Sequence, residues 1–176
     1  VILNDQFDTG SDWTLASTAG QTSTISSGTL RLQARAHGGR ASAKQTVSVA
    51  LADRGVEHAL KIRIRTGSPS IRVGSASGLD DLIAETTLRQ GYHSLAFTPN
   101  DANFYIEIFS TSPTREQVSN CEIEAAGIME IQTPWDADAL PLIRTEQSLD
   151  VMWVGSGVAP PQTIERRGST SWSVCY

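Results

Sequence analysis

Glu57-His-Ala-Leu-Lys-Ile-Arg-Ile-Arg65 decides the fold, because Leu60, Ile62 and Ile64 alternate strictly with Lys61, Arg63 and Arg65. A period of two puts the aliphatic side chains on one face of a strand and the cations on the other. A helix would instead set Ile62 opposite Leu60 and Ile64, leaving neither face apolar. The segment therefore predicts a half-buried β-strand, and its neighbours repeat the pattern. Upstream, Thr29–Gln33 sets Leu30 and Leu32 against Arg31 and Gln33, and Ala41–Val49 places Val47 and Val49 on one side. Downstream, Ser70–Gly74, Tyr92–Phe97, Asn103–Phe109 and Val118–Glu124 read as further short strands. Turn chemistry separates them at Asp53-Arg-Gly55, Gly67-Ser-Pro69, Pro99-Asn-Asp101 and Ser112-Pro113. Leu82–Leu88 reads either as a strand or as one irregular turn.

Roughly eight or more such runs, each with one apolar and one polar face, predict two packed antiparallel sheets, with a jelly roll as the natural topology. Composition agrees: 39% hydrophobic and 19% charged residues with Gly 14 favour turns and strands over helices, and 176 residues suffice for one good core. The expected fold is all-β: an antiparallel jelly-roll β-sandwich over 1–130, followed by a short β-meander over 131–176. The meander is read from Asp150-Val-Met-Trp-Val154, a Gly/Pro turn through Pro160-Pro161, the alternating Gln162–Arg166, Arg167-Gly168 and Trp172. Ile128–Gln132 reads as a strand leaving the sandwich, and Asp136–Leu140 as a single helical turn led by Pro134.

A net charge of −5 argues against nucleic-acid binding through phosphate neutralisation. Arg31, Arg35, Arg40, Arg63, Arg65 and Arg72 read as the solvent faces of strands. No apolar run approaches the ~20 residues of a membrane-spanning helix. The chain opens at Val1 without a basic and apolar leader, as expected of a domain cut from, or processed out of, something longer.

The residues that carry chemistry are sparse. His37, His58 and His93 stand singly, and Cys121 and Cys175 have no ligand spacing, so neither set predicts a metal or a deducible disulfide. Asp80, Asp81 and Glu85, and Asp136 with Asp138, are the carboxylate clusters, but residues of one loop rarely face each other across a sugar. Asn4, Asp5 and Glu122 would offer hard oxygens to Ca²⁺ if the first and last strands paired. Gly155-Ser-Gly157 lacks the surroundings of a nucleophile elbow, and phosphate-binding loops are not present. No catalytic residue, cofactor or metal is expected. Phe7, Trp13, Phe97, Phe104 and Phe109 fit core positions, leaving Tyr92 and Tyr105 as the candidate glycan-binding residues.

The segment TPWDADALPLIRTEQSLDVMWV…PPQTIERRGSTSWSV, Thr133 to Val174, resembles one that recurs in tail tube or nozzle proteins of tailed bacteriophages, of the kind called tail tubular protein B. It keeps a T-P-aromatic opening, an R-x-x-Q-S-x-D-V strand, a Pro-rich turn and a closing S/T-x-W strand. It departs from the family at Gly155-Ser-Gly157, where a His-Pro turn is usual. The first 130 residues are similar in order to carbohydrate-binding-module β-sandwiches. The resemblance implies a non-enzymatic virion component whose partners are other copies of itself and neighbouring tail proteins. The alternative is a module contacting a host surface glycan. A final segment of 131–176 is too small for its own core, so its apolar side chains must lean on the sandwich or on a partner. Trp135, Leu140, Trp153 and Trp172 are the candidate assembly contacts.

Overall fold

The computed structural model describes residues 5–10, 12–17, 20–35 and 38–176. Apart from two 3-10 turns, every regular element in them is a β-strand. The sandwich comprises β1 (Thr14–Ala16), β2 (Gln21–Ile25), β3 (Leu30–Ala34), β4 (Ala41–Ser48), β5 (His58–Thr66), β6 (Ser70–Gly74), β7 (Ile83–Thr87), β8 (Gly91–Phe97), β9 (Asn103–Ser110) and β10 (Glu116–Ile123). One sheet runs β1-β4-β9-β6-β7, and the facing one includes β8-β5-β10-β3-β2. From β3 to β10 the chain changes sheet at every connection except the β6–β7 hairpin. That is the strand order of a jelly roll. Leu82–Leu88 resolves into a strand, β7.

The alternation at residues 57–65 is clean because β5 lies inside its sheet, between β8 and β10. Its aliphatic face has a whole sheet to bury against and its cationic face has water. Leu60, Ile62, Ile64, Leu30, Leu32 and Val118 meet Val47, Ile71, Val73, Ile106 and Ile108 across the sandwich, each 2% exposed or less. Burying a side chain of this size contributes roughly 1.5–3 kcal/mol. Phe7 against Trp13 (ring centroids 5.3 Å apart) and Phe97 against Phe104 (5.1 Å) add aromatic contacts to this core. Phe109 is different. It is buried, but on the outer face of the five-stranded sheet, with the Arg40 guanidinium 3.5 Å above its ring. The expected core position is corrected by register, since Phe104, Ile106 and Ile108 already occupy the inner face of β9.

Residues beyond 143 form β11 (Arg144–Ser148), β12 (Val151–Gly155), β13 (Gln162–Arg166) and β14 (Trp172–Cys175), an antiparallel meander. It does not fold back onto the sandwich. Strand β14 pairs with β8, so the meander extends that sheet to nine strands, with β11 as its far edge. Gly91 makes the junction: its φ is 149°, and a Cβ there would lie 2.1 Å from the Val174 carbonyl oxygen.

The stretch between β10 and β11 must pass β5, β8, β14, β13 and β12 to reach the far edge, a span of about 29 Å at ~4.8 Å per strand. It does so on the sheet's outer face, where Gln132 lines a crevice with Lys61, Arg63, Tyr92 and Asn120. Ile128–Gln132 is therefore not the strand its sequence suggests, because it runs across strands rather than along one. The helical turn also forms later than expected. Asp136 Oδ1 accepts the Ala139 N–H at 2.9 Å, and the 3-10 turn follows at Leu140–Leu142.

Following register across the extended sheet shows a reversal. On the inner face, one row reads Cys121, Ile62, His93, Ser173, Glu165, Val151. On the outer face, the neighbouring row reads Asn120, Arg63, Tyr92, Val174, Ile164, Met152. Apolar and polar faces exchange sides at the β8–β14 junction. Val174 and Val154 are buried on the outer face, and Ala139 of the crossing segment is buried as well.

Candidate functional site

A cleft of about 220 Å³ opens on the outer face of the five-stranded sheet. Its floor is set by strand alternation: Lys44 and Thr46 from β4, Tyr105 and Glu107 from β9, and Arg72 from β6. Its wall is the loop after β6, at Ser77, Gly78 and Leu79. That loop comes down close because Gly74, paired with Tyr105 in register, has no side chain: a Cβ would lie 2.4 Å from the Leu79 carbonyl oxygen. Asp81 Oδ1 accepts the Ser75 N–H at 2.9 Å and Asp80 Oδ2 that of Glu85 at 3.1 Å, so this acidic cluster ties the loop down. The Ser75 backbone and side chain hold the Asp81 carboxyl below its usual range.

Glu107 is the electrostatic centre of the cleft. Its side chain is buried, and Oε2 accepts from Arg72 Nε at 2.9 Å and Nη2 at 2.6 Å. Oε1 faces Arg40 at 3.1 Å and Lys44 Nζ at 3.5 Å. One carboxylate thus gathers three cations, and Glu85, 3.8 Å from Arg72, offsets one more charge. Of the charged side chains that line the cleft itself, Lys44 and Arg72 stand against Glu107 alone.

A second polar cluster fills the inner face at the β8–β14 junction. Arg167 Nε donates to Ser173 Oγ, Ser173 Oγ donates to His93 Nδ1 at 2.7 Å, and His93 Nε2 donates to the Arg89 carbonyl at 2.8 Å. Arg89 and Arg167 both pair with Glu165. This donation chain requires a neutral imidazole. Burial pushes the His93 pKa down to about 4, opposed by the bond to the Arg89 carbonyl and assisted by the nearby Arg167 and Arg89 charges. Ser173 is fully enclosed and His93 is 1% exposed, so the arrangement holds strands together and offers no surface to a substrate.

The structure separates the two candidate glycan-binding tyrosines. Tyr105 lies in the cleft, whereas Tyr92 is on the outer face of the other sheet, with Arg63 4.9 Å over its ring and Gln132 alongside. Of the candidate assembly contacts, Leu140, Trp153 and Trp172 are 59%, 49% and 38% exposed. Trp135 sits half-buried in the crossing segment with its indole nitrogen shielded. His58 is buried between the Glu124 and Asp53 carbonyls. Asn4 and His37 lie outside the described residues. The Asp5 carbonyl accepts the Cys121 N–H at 2.9 Å, but Glu122 pairs with Lys61, and no three metal-binding side chains cluster among the described residues. Cys121 and Cys175 are buried free thiols, both pushed up by burial. They lie three strand spacings apart, about 14 Å, well beyond the ~7 Å Cα reach of a disulfide.

Residue-type reasoning missed Lys44, Arg72 and Glu107 as a group, since each reads singly as a solvent-facing charge. The available signal was Glu107 itself, a carboxylate set inside the otherwise apolar Phe104–Phe109. No protein-family model matches the chain, and no curated protein sequence does.

Proposed function

We propose that this chain is a non-enzymatic structural component of a bacteriophage tail, in which residues 131–176 make contacts between subunits. The observation that carries the reading is where apolar surface is left exposed. Among the described residues, the large apolar side chains standing in solvent before residue 131 are Leu51, Val56, Leu79 and Ile128. Leu140, Leu142, Leu149, Trp153, Val158, Trp172 and Tyr176 lie after it. Of those described, the extension therefore carries most on about a quarter of the chain. Single exposed aliphatics are ordinary, but this concentration on one thin, single-layered appendage marks an interaction surface.

Backbone geometry at the hairpin tip supports it. Leu149, between β11 and β12, has φ of 52° and is 91% exposed. A leucine in left-handed backbone costs about 1–2 kcal/mol, and nothing in the subunit gains from its side chain. The resemblance of Thr133–Val174 to tail tube and nozzle proteins supplies the assembly class, and the negative net charge suits a component that does not adhere to DNA.

Removing residues 131–176 would bare the β8 edge, so point variants make the cleaner test. Sedimentation velocity over a concentration series should show the whole chain self-associating. The double variant Leu140→Ser, Trp153→Ser should sediment as a monomer at the same concentrations with an unchanged thermal midpoint. A wild-type chain that stays monomeric throughout would remove the reading.

A further inference from the structure

We propose that the cleft on the five-stranded sheet is a binding site for an acidic saccharide, holding a single carboxylate-bearing sugar ring. The inference stands on the cleft's own geometry and does not depend on the assembly reading. At about 220 Å³ the cleft is smaller than the ~300–1,000 Å³ typical of pockets for drug-sized molecules, which suits one ring and not a chain. Its floor offers an aromatic face at Tyr105 beside the hydroxyl of Thr46, and Leu79, 50% exposed, closes one side. An apolar surface bordered by a few fixed polar groups is how sites of this size orient a polar ligand.

Charge selects the ligand class. Glu107 is hydrogen-bonded by Arg72 through Oε2 and faces Arg40 and Lys44 through Oε1, so three cations surround this one buried carboxylate. The Lys44 side chain is 42% exposed and its contact to Glu107 is the longest of the three, 3.5 Å. Lys44 can therefore turn to an incoming carboxylate without unpairing Glu107, which Arg72 continues to hold. A neutral sugar would gain only the Tyr105 and Thr46 contacts, and a small carboxylate only the cation.

The test is an NMR titration of the full chain with three probes: methyl galacturonide, the corresponding neutral methyl galactoside, and acetate. The uronate should shift the amides of Thr46, Leu79 and Tyr105, bind about tenfold more tightly than the neutral sugar, and weaken with salt. Lys44→Met should erase the preference for the acidic sugar. Tyr105→Ala should abolish binding of both sugars, and Tyr105→Phe should restore it, which excludes a folding defect. Equal affinity for the acidic and neutral sugars, a response to acetate as strong as to the uronate, shifts confined to other surfaces, or full binding by Tyr105→Ala would each overturn the proposal.

Discussion

Within the sandwich, the inner face of β5 and β10 is aliphatic and the outer face of β5 is cationic. Two and three strands from β5, in the same sheet, β14 and β13 carry Ser173 and Glu165 inside and Val174 and Ile164 outside. Backbone geometry and pairing are the same in both regions, so the difference comes from what lies on each face. The sandwich has a second sheet over its inner face. The extension lies past the edge of that second sheet, which ends at β7, and the crossing segment meets the outer face at Gln132, beside β5, β8 and β10. A strand's apolar side therefore reports the side on which cover exists, and it need not agree between neighbours. Buried and half-buried polar contacts among His93, Ser173, Arg167 and Glu165 fill the inner side where the facing sheet ends at β7.

The largest effect is expected where the two regions join. Gly91→Val would place a branched side chain into the Val174 carbonyl and onto a φ of 149°. This should destabilise the β8–β14 pairing by roughly 3 kcal/mol or more, as buried backbone strain does. The two regions would then part company in hydrogen exchange. Amides of β12–β14 should lose protection while those of β5 and β9, held by the sandwich core, keep it. Uniform protection across all nine strands would show that the extension does not depend on this close approach.

The junction also marks how far the sequence could be read. Period-two alternation gave the sandwich strands and the all-β class, because Leu60–Ile64 and Phe104–Ile108 carry their own burial pattern. Three of the meander strands were equally legible, from Val151–Val154, the Pro160-Pro161 turn and Trp172, but β11 was not, because Arg144–Ser148 is polar and exposed throughout. Which face of the meander is buried was not, since that follows from pairing β14 against β8, residues some 80 positions apart. The same holds for the cleft. Tyr105 stood out as an aromatic on a strand, but Lys44, Arg72 and Glu107 become one group only through the registers of β4, β9 and β6. The crossing segment misled for a related reason. Its Ile128–Gln132 reads as a strand by residue type, although its direction lies across the sheet.

A smaller effect, and one specific to the polar side of the comparison, is expected with pH. Burial holds the His93 pKa at about 4, against 6.5 for a free imidazole. Between those values the unfolded chain binds a proton that the folded chain refuses, so stability is complete above about pH 6.5 and declines as pH falls towards 4. The loss should reach the order of 3 kcal/mol. A protonated His93 would no longer accept from Ser173 Oγ and would lie close to two guanidinium groups, so the extension should loosen first. Denaturant midpoints of wild type and His93→Gln across pH 4–7 test this. The variant should lose most of the slope, and an unchanged slope would assign the acid sensitivity to other groups.

The smallest effect has the opposite sign, and it separates folding from assembly within the extension. Leu149 occupies left-handed backbone with nearly all of its side chain in water, where a glycine would carry no such penalty. Leu149→Gly should therefore raise the unfolding free energy of the isolated subunit by about 1 kcal/mol, less whatever the greater freedom of the unfolded glycine takes back. If the hairpin tip serves only the fold, the variant is simply better. If it is a contact between subunits, the same variant should be more stable in dilute solution and weaker in self-association. Measured together, the two trends tell whether the unfavourable geometry is retained for a neighbour: a stabilised variant that associates as strongly as wild type would place the contacts elsewhere, at Leu140 and Trp153.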